Sequence, residues 1–251
     1  MQFDTSQILM ISVAILISSV VQAAIGFAVA LVAIPLLLNA GLSLPESILV
    51  VLVTATVQNL WGLRDTWSQV DIRSLIMPAL LRISAIPPGF LLMQHFESLG
   101  RDQLRRIFGI TLLIILILQI VIRLKPRSQI SNGWTIFAML VSGLAQGSIG
   151  TPGPPLAFWT MAHDWNTFRA RGTLFFLFLT GTLPHLVMFS LSADPAMLQT
   201  ATRISIGVLP VAMIGSAIGV WLGARFERHM LRRITLLTLF VLSMKLVLIP
   251  G

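Results

Sequence analysis

Hydrophobic residues occur in long runs along most of this chain, and short polar segments separate them. The runs cover about residues 8–38, 45–63, 72–94, 104–123, 133–162, 168–192, 203–223 and 231–249. About 20 apolar residues in a helix cross the hydrocarbon core of a bilayer. Six runs have the length of one crossing, whereas the first and the fifth are longer. The pattern predicts an all-α integral membrane protein.

Turn-forming residues interrupt the two long runs, at residues 22–26 and 146–155. Proline removes a backbone donor and breaks a helix, and glycine tolerates unusual backbone angles. The second interruption contains Pro152, Pro154 and Pro155, so we expect it to divide the run into two helices. The first interruption leaves two alternatives open, which are a hairpin and one long tilted helix.

Three short matches recur in the same order in the two halves of the chain and indicate an internal repeat. We predict a first repeat over residues 1–123 and a second over 124–251, which together form one transport domain. The matching segments are Gln-x-x-Ile-Gly at Gln22 and Gln146, Pro-x5-Ser-Ala-Ile at Pro78 and Pro210, and Leu-Arg-Arg-Ile at Leu104 and Leu231.

The basic residues between the runs favour one topology. If runs one and five are re-entrant hairpins that enter and leave on the same face, eleven basic residues lie on one side and five on the other, which satisfies the positive-inside rule. The sequence therefore predicts six full transmembrane helices plus two broken hairpins, with both termini outside. Each repeat then has three crossings, so the two halves form an inverted repeat. The eleven are Arg64, Arg73, Arg123, Lys125, Arg127, Arg169, Arg171, Arg225, Arg228, Arg232 and Arg233, and the five are Arg101, Arg105, Arg106, Arg203 and Lys245.

The composition narrows the class of protein further. Hydrophobic residues make up 56% and charged residues 10% of the 251 positions, whereas soluble domains average about 25% charged residues. The net charge is +8, but the basic clusters flank the apolar runs, which favours lipid headgroups over nucleic acid. No cysteine, nucleotide-binding motif or catalytic motif occurs, so we expect no enzyme activity, no cofactor and no metal site.

The two interruptions are the leading candidates for a substrate site. Backbone groups cannot stay unpaired in lipid, so a broken helix at membrane depth must be buried or line a wet cavity. The start of a half-helix also offers free N–H groups to an anion. The alternative is that small residues at these tips only pack helices closely. The candidate substrate-binding residues are Gln22, Gly26, Phe27, Gln58, Asn59, Arg82, Gln146, Ser148, Gly150 and Thr151.

Arg82 is the most informative single residue. It lies near the middle of the run 72–94, where a charged side chain costs at least about 2.5 kcal/mol. No acidic residue lies in the middle of any run, and a guanidinium group matches carboxylates, sulfonates and other oxyanions. The alternative is that Arg82 binds carbonyl groups at a helix end. The second repeat has Ile214 at the matching position, so the predicted site is asymmetric.

His185 lies within the run 168–192, directly after Pro184. Histidine changes its charge near neutral pH, so His185 is a candidate for proton coupling. The alternative is a neutral histidine that forms a hydrogen bond with a neighbouring helix.

At the two interruptions the sequence resembles the sulfite exporter TauE/SafE family. The resemblance rests on Gln22-Ala-Ala-Ile-Gly26-Phe27-Ala-Val-Ala-Leu-Val-Ala-Ile-Pro35, on Ser142-Gly-Leu-Ala-Gln146-Gly-Ser-Ile-Gly150-Thr-Pro-Gly153, and on Arg169-Ala-Arg171-Gly-Thr173. In that family a glycine-rich motif followed by a proline opens each half of a two-fold repeated membrane protein. The resemblance implies transport of small anions, often sulfite, sulfoacetate or other organosulfonates, across a bacterial inner membrane.

These observations predict a secondary transporter, with export the favoured direction, of a small organic or sulfur-containing anion. We expect the anion to bind at the midplane between the broken-helix tips and Arg82, with alternating access. The rival hypotheses are an anion channel and a membrane accessory subunit without transport of its own. Coupling to a proton or a sodium ion and assembly as a homodimer are left open.

Overall fold

The computed structural model describes residues 4–26, 29–121, 126–225 and 228–248, and most of these residues lie in helices. Within these ranges there are ten α-helices and one turn of 3-10 helix, Trp67–Gln69. The all-α prediction is confirmed for this part of the chain. The helices are α1 Thr5–Ile25, α2 Val29–Asn39, α3 Leu44–Thr66, α4 Ile72–Glu97, α5 Arg101–Val121, α6 Asn132–Ile149, α7 Gly153–Met161, α8 Thr167–Ser192, α9 Pro195–Arg225 and α10 Arg228–Leu248.

Five of the described helices, α1, α3, α4, α8 and α9, are long and apolar enough to cross a membrane. Their large apolar side chains are often exposed, such as Leu183 on α8 and Leu91 on α4. In contrast, several of their polar side chains are buried, such as Ser18, Thr54 and Arg82. A protein with many exposed apolar side chains and several buried polar ones suits lipid as the surrounding solvent. The chain is therefore a multi-pass membrane protein.

Both interruptions predicted from the sequence coincide with the end of a helix. Helix α1 ends before Gly26, whose φ is 109°, and α6 ends before Gly150, whose φ is 68°. Positive φ angles suit glycine because a side chain would meet the backbone. The first long run is therefore two helices, α1 and α2, rather than one continuous helix. Helix α2 packs against α1, and α7 packs against α6.

The helices follow each other in two series of similar lengths. The series α1 to α5 has 21, 11, 23, 26 and 21 residues, and the series α6 to α10 has 18, 9, 26, 31 and 21 residues. In each series a long helix is followed by a short one at the glycine break. The division into repeats at residues 123 and 124 stays a prediction.

The chain forms two compact units, and each contains segments from both sequence halves. The first unit comprises residues 1–54, 95–123 and 199–251, and the second comprises 55–94 and 124–198. Glycines bring two helices close together within each unit, as is common in membrane proteins.

In the first unit, α9 crosses α1 closely. A Cβ atom at Gly215 would lie 2.8 Å from the Leu16 carbonyl oxygen, and one at Gly219 would meet the Val20 carbonyl oxygen. In the second unit, α6 crosses α4 in a comparable way, described with the site below. Each crossing pairs the first helix of one series with the fourth helix of the other.

Candidate functional site

Arg82 lies in the interior of the second unit, near the middle of α4, and its side chain is 0% exposed. The α6 helix comes close enough to reach it because two glycines face α4. A Cβ atom at Gly143 would meet the Arg82 carbonyl oxygen, and one at Gly147 would meet the Ile86 carbonyl oxygen. Gly89 on α4 approaches the α6 backbone at Leu144 in the same way. The close crossing places the side chains of α6 beside the guanidinium group.

Three neutral groups accept hydrogen bonds from the Arg82 guanidinium. The Nε–H donates to Ser142 Oγ at 3.2 Å, and an Nη2–H donates to Gln146 Oε1. Ser142 and Gln146 are four residues apart on α6, so they lie on one face of the helix. An Nη1–H donates to the backbone carbonyl oxygen of Leu177 on α8. Two helices therefore hold the guanidinium group from two sides.

The acceptors of Arg82 are themselves held by further hydrogen bonds. Gln146 Nε2 donates to the Gly181 carbonyl oxygen on α8 at 3.0 Å. Ser142 Oγ donates to the carbonyl oxygen of Pro152, in the break between α6 and α7, at 3.0 Å. Arg82 is thereby connected through one residue to the second broken-helix tip and through another to α8.

Gly181 provides the space that the guanidinium group occupies. A Cβ atom at this position would lie 2.5 Å from Arg82 Nη1 and 2.5 Å from Gln146 Oε1. Gly181 follows Leu177 by one helical turn, so its missing side chain also leaves the Leu177 carbonyl oxygen open to Arg82. Any larger residue would displace the charged group or its partner.

No carboxylate group of the described residues forms an ion pair with Arg82. Its three acceptors are a hydroxyl, a side-chain amide and a backbone carbonyl, none of which carries a negative charge. A guanidinium group has five N–H donors, so two N–H groups, one on each Nη atom, have no acceptor in this part of the chain. The site is thus a buried positive charge with two donors available.

Two other predicted residues of this unit are buried, and their side chains lack hydrogen-bond partners among the described residues. His185 is 0% exposed, and neither ring nitrogen has a partner there. The hydroxyl of Thr151, in the break after α6, is also buried without a partner there. The hydrogen bond to a neighbouring helix that one hypothesis expected for His185 is absent from the described residues.

The remaining predicted residues of the second unit have other surroundings. Ser148 Oγ donates to the Leu144 carbonyl oxygen of its own helix at 2.7 Å. Gly150 caps the C-terminus of α6, and its N–H donates to the Gln146 carbonyl oxygen at 3.1 Å. Gln58 and Asn59 are buried on α3. Of the predicted set, Arg82 and Gln146 are in direct contact.

The predicted residues of the first tip lie in the other unit. Gln22 is buried, and its Oε1 accepts a hydrogen bond from the Val29 N–H at 3.1 Å, so it caps the start of α2. Gly26 ends α1. Phe27 lies outside the described residues. The Oε1 atoms of the two matching glutamines therefore have different donors, since Gln146 Oε1 accepts from Arg82 whereas Gln22 Oε1 accepts from a backbone N–H.

The start of α7 offers few backbone donors to an anion. Pro154 and Pro155 occupy its first turn and have no N–H group. The Thr151 N–H donates to the Ala145 carbonyl oxygen at 3.1 Å. The donors at this end of the site are therefore chiefly side chains.

Sequence reasoning missed three residues of the site, which are Ser142, Leu177 and Gly181. A signal for Ser142 was present, because it precedes Gln146 by one helical turn. Leu177 contributes a backbone carbonyl and Gly181 contributes space, so neither has a side-chain signal.

An aromatic cluster lies at the end of α7. The His163 ring stacks on Trp165 with 3.9 Å between ring centroids, and the Trp159 ring meets it edge-on at 4.5 Å. His163 Nδ1 lies 2.9 Å from the Trp159 carbonyl oxygen. Burial lowers the pKa of His163 below 6.5, the Arg169 charge lowers it further, and the hydrogen bond to Trp159 opposes both effects.

Comparison with known proteins identifies a family. Residues 10–246 match the family model described as sulfite exporter TauE/SafE. Searches of curated proteins and of solved structures return no match.

Proposed function

Since the chain belongs to the sulfite exporter TauE/SafE family, we propose that it is a secondary transporter, with export the favoured direction, of sulfite, an organosulfonate or a similar small anion, and that Arg82 binds this anion. Membership of the family implies a membrane transporter of sulfur-containing anions. The role of Arg82, the direction and the mechanism are the finer parts of the proposal.

The buried charge of Arg82 is the observation that carries the proposal. Neutral acceptors satisfy hydrogen bonds but do not neutralise a charge. A buried charge that loses its partner costs about 3–5 kcal/mol, and membrane-buried charges face a partner or a cavity. Because no described carboxylate pairs with Arg82, an anionic substrate is the natural counter-ion.

The geometry of the guanidinium group suits an oxyanion. The two N–H groups without described acceptors belong to Nη1 and Nη2, the two nitrogens that form the outer edge of the fork. Sulfonate, sulfite and carboxylate groups have oxygen atoms that accept hydrogen bonds from guanidinium N–H groups. Gly181 borders both nitrogens without a side chain of its own.

The transport mechanism that we propose is alternating access in an inverted repeat. The two series of five helices and the comparable glycine crossings, α9 with α1 and α6 with α4, support an internal repeat. In transporters of this plan, broken helices contribute to the substrate site and the site opens to one side at a time. The break after α6 is connected to Arg82 through Ser142.

The proposal also covers topology and location. It assigns α3, α4, α5, α8, α9 and α10 as full spans and the pairs α1–α2 and α6–α7 as hairpins. Within α5 and α10 the clearly apolar stretches are shorter, Arg106–Leu118 and Leu239–Leu248, whereas α1 is long enough to cross alone. The placement of both termini outside rests on the distribution of basic residues. A bacterial inner membrane is what the resemblance to the family implies. Assembly as a homodimer stays a hypothesis.

Ligand-induced stabilisation tests the anion site. The purified protein is heated with sulfite, sulfoacetate, isethionate, taurine and simple carboxylates, and the unfolding temperature is measured. A ligand at 100 times its Kd stabilises the folded state by about 2.7 kcal/mol. We expect a shift with a sulfur oxyanion that disappears in Arg82→Ala. The control Arg203→Ala removes the same charge from an exposed position of α9 and should keep the shift.

Flux through proteoliposomes separates a transporter from its rivals. Saturable uptake that Arg82→Ala abolishes and Arg203→Ala preserves supports the proposal. Flux that rises linearly with concentration would favour an anion channel, and no flux with any anion would favour an accessory subunit. An unchanged ligand shift in Arg82→Ala would remove Arg82 from the site.

A further inference from the structure

His185 lies on the same face of α8 as the two residues that border the Arg82 guanidinium. Leu177, Gly181 and His185 follow each other at intervals of one helical turn. Four residues of a helix rise about 6 Å, so His185 lies about that far along α8 from Gly181, which borders the guanidinium group. Farther along α4, the Phe90 ring meets the His185 ring edge-on, with 6.0 Å between centroids.

The surroundings of His185 do not satisfy an imidazole ring. The Phe189 ring stacks on the His185 ring at 5.0 Å between centroids, and the Phe90 ring meets the His185 ring edge-on. Neither ring nitrogen has a hydrogen-bond partner among the described residues. A neutral imidazole has one donor and one acceptor, and leaving both buried and unpaired destabilises the folded protein. Packing alone would be served better by an apolar residue.

Arg82 is the charged group that faces His185 among the described residues. The helices α6 and α7 and the turn Trp67–Gln69, all packed near α8, contain no titratable side chain. The other titratable residues of α3 and α4 lie toward the ends of those helices. The other titratable residues of α8 lie near the start of that helix. These residues are Glu46, Arg64 and Asp65 on α3, Arg73, His95 and Glu97 on α4, and Arg169 and Arg171 on α8.

We propose that His185 binds a proton when an anion binds at Arg82, so that the site takes up the anion and the proton together. This inference rests on the proposed anion site. Without an anion, the Arg82 charge opposes a second positive charge nearby in a medium of low dielectric constant. A bound anion neutralises Arg82 and allows the second charge. The proton comes from water and binds to the unprotonated ring nitrogen, and it leaves when the anion leaves.

Linkage makes the coupling reciprocal, so protonation of His185 strengthens anion binding by the same factor by which the anion favours protonation. A proton that binds with the anion travels with it during transport. A monovalent anion would then cross the membrane without moving net charge.

Calorimetry on the wild-type protein tests the proposal directly. Isethionate is the probe because its sulfonate group stays ionised throughout the range of pH used. We expect its Kd to fall at least tenfold from about pH 8 to pH 6, given the limit of tenfold per pH unit for one proton. Titrations in buffers with different ionisation enthalpies should show close to one proton taken up per anion. An affinity independent of pH, with no proton uptake, would overturn the inference.

Three variants separate this inference from the proposed function. His185→Gln should bind isethionate without proton uptake and with less than a twofold change in Kd across the same range. The control His163→Gln should behave as wild type. If Arg82→Ala loses binding while His185→Gln still takes up a proton, the anion site stands and the role of His185 is wrong. If Arg82→Ala binds as wild type does, the anion site itself is wrong. If His185→Gln fails to fold, the wild-type proton count decides.

Discussion

Gly181 leaves open the space in which the Arg82 guanidinium group lies. A Cβ atom at Gly181 would be 2.5 Å from Arg82 Nη1 and 2.8 Å from Nη2, which is far closer than van der Waals contact. Gly181 has helical backbone angles, so no unusual conformation requires a glycine here. The glycine is needed because α8 must approach a buried charged group.

Replacing Gly181 by alanine should disturb the site and the fold together. The added methyl group must displace Arg82 or Gln146, and overpacking of this kind typically destabilises a protein by about 1–3 kcal/mol. We expect Gly181→Ala to unfold at a lower temperature and to lose the stabilisation by sulfur oxyanions. Thermal unfolding with and without ligand measures both effects.

Gly207→Ala is the matched control for this substitution. Gly207 also lies within a long helix, and a Cβ atom there meets nothing within 4 Å. Alanine is the better helix former by about 0.5–1 kcal/mol, so this variant should be as stable as wild type or more stable. If both variants lost stability equally, the space at Gly181 would not be the cause.

A glutamate at position 146 should compete with the substrate. Gln146 Oε1 accepts a hydrogen bond from Arg82, so Gln146→Glu would place a carboxylate against the guanidinium group without changing the size of the side chain. The charge of Arg82 would then be compensated internally. We expect a folded protein whose affinity for sulfur oxyanions is at least about tenfold lower, because a close opposite charge is worth 1.4 kcal/mol or more in a buried site.

The equivalent substitution at the first tip is the control. Gln22 Oε1 accepts from the Val29 N–H, and a glutamate oxygen can accept the same hydrogen bond. Gln22→Glu should therefore keep the ligand-induced shift. Loss of anion binding in Gln22→Glu and its retention in Gln146→Glu would contradict the assignment of Arg82 and Gln146 to the site.

The helical fold could be predicted from sequence because its cause is local. Long apolar runs have one low-energy structure in lipid, and glycine with proline marks where helices break. The sequence thus predicted the break at Gly150, whose prolines exclude a continuous helix, and left the break at Gly26 open between a hairpin and one long helix. The grouping of helices could not be predicted, because it depends on which helix faces pack together. Small residues such as Gly143 and Gly219 allow such packing without specifying the partner helix.

The site could be predicted in part, and for a related reason. Arg82 stands out because a charge within an apolar run is costly wherever the run packs. Its partners depend on tertiary packing, and one of them is the backbone carbonyl of Leu177, which any residue could supply. Gly181 acts through the absence of a side chain. If the predicted repeat holds, Ile214 stands at the position that matches Arg82, so Gln22 has no matching arginine.

Gly150 should be sensitive to substitution because of its backbone conformation. Its φ of 68° is in the left-handed region, which costs about 1–2 kcal/mol for a residue with a side chain. We expect Gly150→Ala to lose about this much stability and Gly150→Asn to lose less, since asparagine tolerates the region better. Equilibrium unfolding measures the difference. Gly133→Ala, where a Cβ atom meets nothing within 4 Å, should not lose stability.

The aromatic cluster at the end of α7 should make stability depend on pH. Burial is the main reason that the pKa of His163 lies below 6.5, and the Arg169 charge adds to it. The unfolded chain therefore binds a proton at this residue more readily than the folded protein does. Stability rises with pH wherever the unfolded state binds more protons. The contribution of His163 is complete above about pH 6.5 and is lost as the pH falls through the lower pKa of the folded protein.

Unfolding temperatures from pH 7.5 to pH 5 test this prediction. Wild type should become less stable on acidification, and His163→Gln should show a smaller loss because glutamine does not titrate. His95→Gln removes an exposed histidine from the end of α4 and is the matched control for the loss of one imidazole. If His163→Gln were as sensitive to acid as wild type, the stacked ring against Trp165 would not be the group that titrates. A larger loss of stability on acidification in His163→Gln than in wild type would mean that the charged imidazole stabilises the cluster. That effect would be opposite in sign to the prediction.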